Sequence, residues 1–469
     1  MKDAELLHLT LVDAGDLIRR RELSPVDLTR AVLDQIERLN PEINAFTTLV
    51  PREQALRAAG RAADEIARGH YLGPLHGIPA SVKDLIDTAG LRTTYGSGMF
   101  ADHVPAADGG MPERLKALGA VLTGKTATHE LGLGLTTNNY FFGATRNPWR
   151  RDHVPGGSSG GASAAAAALM GPLHVGTDGA GSIRFPAAFC GVVGHKPTLG
   201  LLSTRGQFGG EGTSFSVPGP LARSARDAAL ASQLLAGFDP AYLYSLPRPV
   251  PDLLVDLERG VAGLRIGVSQ DLLMPPPEDD VRSAYEETLA HLSTLGARIV
   301  EVQIASQSLV LRGVAGTFGI EGGTLTDRLI GDRPRAFSPA VERMRAGGGP
   351  GQADPGLWVD LLRDRQRIAR SYAEAFSEVD ALVAPIAPFK APRIDADEGP
   401  LSPLAVPYTG AANLVGFPAV ALPAGLSDGL PLAVQIMTPS GEDARALRIA
   451  YALEQGFAEH RVQTPPGVA

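Results

Sequence analysis

The sequence predicts an α/β protein, and three observations carry that prediction. Two short β-forming runs, 263–269 (GLRIGVS) and 297–304 (ARIVEVQI), flank a helical stretch at 279–295, and a β-α-β order favours a sheet with helices packed on it. The 469 residues are 44% apolar and 20% charged, which allows a large buried core and argues against global disorder. The segment 156–198 is dense in Gly, Ser and Ala and poor in charge. Its small residues alternate with apolar ones (PLHVGTD, FPAAFCGVVGHK), so it reads as packed interior and not as a linker.

Taken in order, the N-terminal region is helical. Leu11, Leu17, Leu28, Val32, Ile36 and Leu39 recur at helical spacings, Ser24 followed by Pro25 is an N-cap signal, and Asn40–Pro41 is expected to end the helix. Residues 52–68 form a second helix, rich in Ala and Arg. A β-like core at 78–82 lies inside GIPASVKDLIDTAG, and RLKALGAVLTGKT reads as a helix stopped at Gly119 and then a strand at 120–123. Residues 221–235 read as a helix and 241–251 as a proline-containing connection. After the β-α-β unit, 346–356 (AGGGPGQADPG) is expected to be a surface loop or lid, 358–379 a long helix and 380–388 a buried strand. Strands at 417–424 and 432–438 and a helix at 443–454 close the order. No repeat, low-complexity tract or linker divides the chain. The expectation is one domain over 1–469, with a helical segment at 1–70, a central core at 71–230 and the remainder of the α/β unit at 231–469.

A formal net charge of -8 and the lack of any long Lys or Arg run argue against a general nucleic-acid surface. Cys190 is the single cysteine, so no disulfide framework is available within the chain. Asp3, Glu5 and Asp13 interrupt any signal-peptide core, and the longest apolar runs, such as AAAAALM at 164–170, are far too short to span a bilayer. The expected location is the cytoplasm.

Three motifs compete for the chemistry. GAVLTGKT at 119–126 fits the P-loop pattern letter for letter, but its middle residues Ala-Val-Leu-Thr are β-forming and no helix signal follows promptly. GSSGG at 157–161 fits a nucleophile elbow centred on Ser159. The residues before it, WRRDHVPGG, form a proline-containing loop where an elbow needs a strand, and the later histidine would have to be His460 in a charged tail. The third combination joins Lys83, after the apolar run 78–82, to the serine pair Ser158 and Ser159 and to Ser182 in GTDGAGSIR. A serine hydroxyl is a poor nucleophile until a base takes its proton, and a lysine serves where burial makes it neutral near working pH. The plain alternative is a surface lysine paired with Asp84. Cys190 reads as a small buried apolar residue, His195 as locally packed, Tyr140, Phe141 and Phe142 as core, and His129 and Glu130 as either structural or substrate-facing.

Jointly, GIPASVKD, GGSSGG and GTDGAGSIRFPAAFCGVVGHKPT resemble the amidase signature family, and the resemblance extends through GAVLTGKTATHELGLG, FGATRNPW, GPLARS and ANLVGFPAVALPAGLSDGLPLAVQI. It implies one large mixed β-sheet covered by helices on both faces, and amide hydrolysis to an acid plus ammonia or an amine. Lys83, Ser158 and Ser182 resemble the family's Ser-Ser-Lys triad: Ser182 the acyl-forming nucleophile, Ser158 the bridging serine held in a cis peptide, Lys83 the base. Gly179, Ala180, Gly181 and Ser182 would supply the oxyanion-hole amides. Ser159, Asp178 and Arg184 would support the site, and Leu131, Gly132 and Leu133 match positions lining the acyl pocket. The resemblance implies no cofactor and no metal. Ala180 departs from the family's usual glycine, and the expectation is that the loop tolerates it.

The resemblance includes a branch, the hydrolytic chains of tRNA-dependent amidotransferases, which hydrolyse glutamine and pass ammonia to a partner. They carry an acidic residue before the tail asparagine; aligned through Asn413, that position here is Val406, which cannot pair with an ammonium group. The sequence therefore favours a stand-alone amidase of small or aryl amides; the expected partner is a small-molecule amide, with no nucleic acid and no membrane, and a homodimer is one assembly left open. A reading of another class is a non-catalytic binding protein on the same fold, with Ala180 as its hint.

Overall fold

The computed structural model describes residues 3–208, 214–245, 247–324, 337–346 and 355–468. Eleven strands form one sheet: β1 (Phe46–Leu49), β2 (Pro79–Lys83), β3 (Val121–Thr126), β4 (Leu173–Asp178), β5 (Val193–Lys196), β6 (Val217–Ala222), β7 (Arg265–Val268), β8 (Arg298–Glu301), β9 (Ala381–Pro385), β10 (Ala419–Ser427) and β11 (Leu430–Met437). Their spatial order is β1-β3-β2-β4-β6-β5-β10-β11-β9-β7-β8. The sheet is mixed. β3, β2 and β4 run parallel side by side, as do β9, β7 and β8, and antiparallel pairings link the two groups. A separate two-residue hairpin pairs Asn138–Asn139 with Gly143–Ala144.

Side-chain alternation along the strands builds a core on each face. On β9, Ala381 and Val383 join a cluster with Leu230, Leu292 and Leu447, from the helices Ala225–Leu235, Asp279–Thr294 and Asp443–Gly456. The intervening Leu382 and Ala384 pack instead with Val310, Ile368 and Leu414, from the helices Gln307–Thr317, Pro355–Glu378 and Leu401–Val415. Helices thus cover both faces, as the resemblance implied. The predicted β-α-β unit is present as β7, the helix Asp279–Thr294 and β8, with the two strands parallel.

Several boundaries differ from the sequence reading. The helix Pro25–Ile43 is capped by the Ser24 hydroxyl, which accepts from Val26 N at 3.2 Å, but it runs past Pro41. A proline this close to the end removes one bond, and the stop comes at Asn44, which adopts the left-handed conformation (φ 55°) that asparagine tolerates. The stretch read as a helix from 221 begins with β6, whose Pro218 and Pro220 hide the strand signal; the helix starts at Ala225 behind the Ser224 cap. Tyr140 is exposed and not core. Of the loop expected at 346–356, residues 347–354 lie outside the described residues.

Candidate active site

The parallel trio β3, β2 and β4 sends its carboxyl ends to one edge of the sheet, where α/β folds gather their reactive groups. Lys83 is the last residue of β2 and is fully buried. Its Nζ donates to Ser158 Oγ at 2.6 Å and to Thr177 Oγ1 at 2.7 Å. Asp84, the neighbour that a surface reading would pair with this lysine, turns away. It accepts from Thr94 N at 3.1 Å and faces the buried Lys125. Burial pushes the Asp84 carboxyl up to about 6 despite Lys125, and burial lowers Lys125 to about 8 despite Asp84. Lys125 belongs to β3 and its Nζ donates to Ile86 O and Thr88 Oγ1, so the P-loop look-alike is a strand of the core.

Ser158 follows a cis Gly157–Ser158 peptide. The Thr137 hydroxyl donates to Gly156 O at 2.8 Å and accepts from Gly160 N at 3.1 Å, and His129 N donates to Ser158 O at 3.2 Å. Ser159, the elbow candidate, is buried; its Oγ donates to Thr177 O (3.0 Å) and accepts from Thr177 N (3.2 Å), tying the turn to β4. From 153 to 198 every residue is buried except Ser182. The small residues of that stretch close-pack around one accessible hydroxyl.

Ser182 lies in the loop that leaves β4. Asp178, the last residue of β4, organises that loop. Its Oδ1 accepts from Gly181 N at 2.6 Å and Oδ2 from Ile183 N at 3.1 Å, and both oxygens meet the guanidinium of Arg184 at 3.0 Å. Burial alone would raise this carboxyl, but Arg184 and the amide donors outweigh it and hold it at about 2. Arg184 also donates to Thr409 O (3.0 Å), Gln435 Oε1 (3.0 Å) and Asn413 Oδ1 (2.6 Å), and Asn413 Nδ2 returns a bond to Asp178 O at 2.8 Å. The assignment of all four loop amides to an oxyanion hole needs one correction. The Gly181 N–H is committed to Asp178, while those of Gly179, Ala180 and Ser182 meet no protein acceptor among the described residues. Ala180 is not among the described residues with positive φ, and its methyl packs in the cluster of Val310 and Leu414. An alanine therefore fits where the family carries glycine.

The acyl-pocket candidates diverge. Leu131 is fully buried among Tyr95, Phe100 and Phe208 and its N–H donates to Tyr95 O at 2.8 Å, so its side chain is core. Gly132 is buried with φ 76°, and Leu133 is half-buried at the margin of the same cluster. Glu130 is structural, accepting from Ser97 Oγ (2.8 Å) and Ser338 N (3.1 Å). The buried His129 faces Glu398 at 4.0 Å. Burial holds its imidazole below the usual range against the pull of Glu398. Cys190 is buried, and burial pushes its thiol up to about 12. His195 bonds Ser232 Oγ at 2.7 Å.

Thr177, Thr137, Thr409, Gln435 and Glu398 escaped the sequence reading. Thr177 stood inside a quoted motif, but its pairing with Lys83 depends on the β2–β4 register, which no local pattern encodes.

The Amidase family matches residues 27–447. The A component of the glutamyl-tRNA(Gln) amidotransferase of Moorella thermoacetica is 37% identical over 492 aligned positions, covering 99% of this chain and 100% of its own. A solved structure described with a vestigial protein complex that reveals the origins of an s-triazine catabolic enzyme is 31% identical. It has a TM-score of 0.89 and covers 97% of this chain and 100% of its own. A bacterial aryl acylamidase of the amidase signature enzymes family is 25% identical, with a TM-score of 0.88 over 96% of this chain and 97% of its own. The likeness to the Moorella protein overturns the partner expectation, a small-molecule amide alone with no nucleic acid and a homodimer as the assembly, because that relative is by name one component of an enzyme that acts on a tRNA. Among the described residues no helix is long and apolar enough to cross a membrane.

Proposed function

The chain belongs to the amidase family, and on that premise we propose that it hydrolyses a carboxamide through an acyl-enzyme on Ser182, as the hydrolytic component of a larger assembly that uses the ammonia released. It is an amidase, a hydrolase of linear amide C–N bonds. The observation that carries the mechanism is the 2.6 Å contact of Lys83 Nζ with Ser158 Oγ, inside a buried stretch whose one accessible side chain is Ser182.

In this reading the Ser182 oxygen attacks the amide carbonyl as its proton passes to Ser158, whose own proton passes to the unprotonated Lys83. The negative charge that develops on the carbonyl oxygen meets the free amides of the 179–182 loop, held in place by Asp178 and Arg184. The C–N bond breaks as the relay returns its proton to the departing nitrogen. Water then cleaves the Ser182 ester, leaving the acid and a free hydroxyl. Thr177 holds the Lys83 amine toward Ser158. The name of the Moorella relative supports glutamyl-tRNA as final acceptor, and glutamine as ammonia donor is what the resemblance to the amidotransferase branch implies.

One residue favours a second reading, a hydrolytic component with a different donor amide. Val406 is half-buried against the cluster of Val310 and Val314 and offers no charge to an α-ammonium. Ammonia release from glutamine, asparagine, aliphatic and aryl amides and a peptide C-terminal amide tests both readings. Glutamine as the fastest donor supports the first, and turnover of another amide with glutamine inert supports the second. Undiminished turnover in Ser182→Ala or Lys83→Ala would remove the mechanism itself.

A further inference from the structure

The connection between β9 and the helix Leu401–Val415 runs along the outside of the Ser158 turn. Val154 N donates to Pro392 O and Ile394 N to Asp152 O, each at 2.9 Å, and Asn138 Nδ2 donates to Ile394 O at 3.2 Å. At its far end Glu398 accepts the hydroxyl of Thr136 and stands 4.0 Å from His129. Thr136 is in turn pressed on the turn. A Cβ built on Gly157 would lie 2.6 Å from Thr136 N and from Leu135 C, so the 134–136 backbone and Gly157 are in direct contact with no side chain between them. His129 and Thr137, on either side of this segment, bond to the backbone of the same turn. A displacement of Thr136 is therefore passed to Gly157 and Ser158 with little room for absorption.

We propose that Glu398 is a positioning residue for the hydrolytic reaction: by holding the Thr136 hydroxyl, its carboxylate keeps the 134–136 backbone against Gly157 and so fixes Ser158 opposite Lys83. Glu398 acts through Thr136. The proposal rests on the reading of Ser158 as the proton relay.

The test is labelling of the full-length chain by a fluorophosphonate, resolved into kinact and KI. Glu398→Ala lowers kinact about tenfold with KI within about twofold, since a misplaced relay slows attack and leaves the probe's encounter unchanged. Glu398→Gln, whose amide oxygen still accepts from Thr136, stays within about threefold of the parent. Thr136→Val reproduces the loss and gives the second route if Glu398→Ala fails to fold. The double variant is no slower than the worse single one, as expected of groups that act as a unit. Parental kinact in Glu398→Ala or in Thr136→Val overturns the proposal. So does a Gln variant as slow as the Ala variant, which would assign the effect to charge beside His129. Failure of the underlying mechanism is separate and shows as labelling that persists in Ser182→Ala.

Discussion

Gly181 and Ala180 are adjacent, and the structure assigns them opposite tolerances. Gly181 has φ 123°, a conformation costing an L-residue about 1–3 kcal/mol. A Cβ there would lie 2.3 Å from Phe185 Cε2 and 2.7 Å from Thr409 Oγ1, and overpacking of this kind adds about 1–3 kcal/mol. Gly181→Ala is therefore expected to destabilise the chain by about 2–6 kcal/mol in total, a large share of the usual 5–15 kcal/mol. Relief by moving the loop would displace the amides of Ala180 and Ser182, and a lost oxyanion donor slows turnover by about 10²–10³-fold. Ala180→Gly loses only a packed methyl and some chain stiffness, about 1 kcal/mol, and keeps the rate within about tenfold. Urea unfolding gives the first quantity and the fluorophosphonate labelling rate the second. A Gly181→Ala variant with parental stability and a labelling rate within tenfold would refute the reasoning, as would a hundredfold gain in Ala180→Gly.

Asp178→Asn leaves Arg184 buried with its charge uncompensated, and a loss of about 3–5 kcal/mol is expected in urea unfolding. The same carboxyl, held at about 2 against an ordinary 3.8, stabilises the fold above pH 4, and about 2 kcal/mol of that is lost as pH falls from about 4 to about 2; acid titration by circular dichroism should show a shallower slope in Asp178→Asn. Burial raises Glu454 to about 7, so its contribution runs the other way. Stability is present below about pH 4.5 and declines as pH rises towards 7, and Glu454→Gln should flatten that decline by up to about 3 kcal/mol while still accepting from Ala225 N. Cys190 should stay unreactive towards a disulfide reagent at pH 8 until urea unfolds the chain, and fast modification of the native protein would contradict its burial.

What the sequence made legible follows from what physics keeps local. The Ser24 cap, the helix Asp279–Thr294 and its flanking strands are short-range patterns, and they appear where periodicity and capping put them. The β-forming residues of GAVLTGKT outvoted the P-loop spelling, and β3 is the outcome. Lys83 could be placed at a strand end because an apolar run precedes it, but its second partner, Thr177, comes from a neighbouring strand whose register no single segment encodes. The brace of Arg184 draws on residues more than two hundred positions away, which is why Thr409 and Gln435 stayed silent. The commitment of the Gly181 amide to Asp178 is a matter of tenths of an ångström in one loop, below anything that spacing can report. The likeness to amidotransferase components lay in the overall match, and the single position Val406 pointed away from it.

The bonds from Arg184 to Thr409, Asn413 and Gln435 also bear on the protein's synthesis. Lys83, Ser158 and Ser182 leave the ribosome early, whereas the partners that steady the loop around Ser182 arrive more than two hundred residues later. On the proposed mechanism, a nascent chain carries Lys83, Ser158 and Ser182 for most of its elongation without the frame that aims them, since an oxyanion loop lacking its brace has no fixed amides to offer. On that mechanism, hydrolytic competence requires the segment around Ser182 and the segment 409–435 to have met.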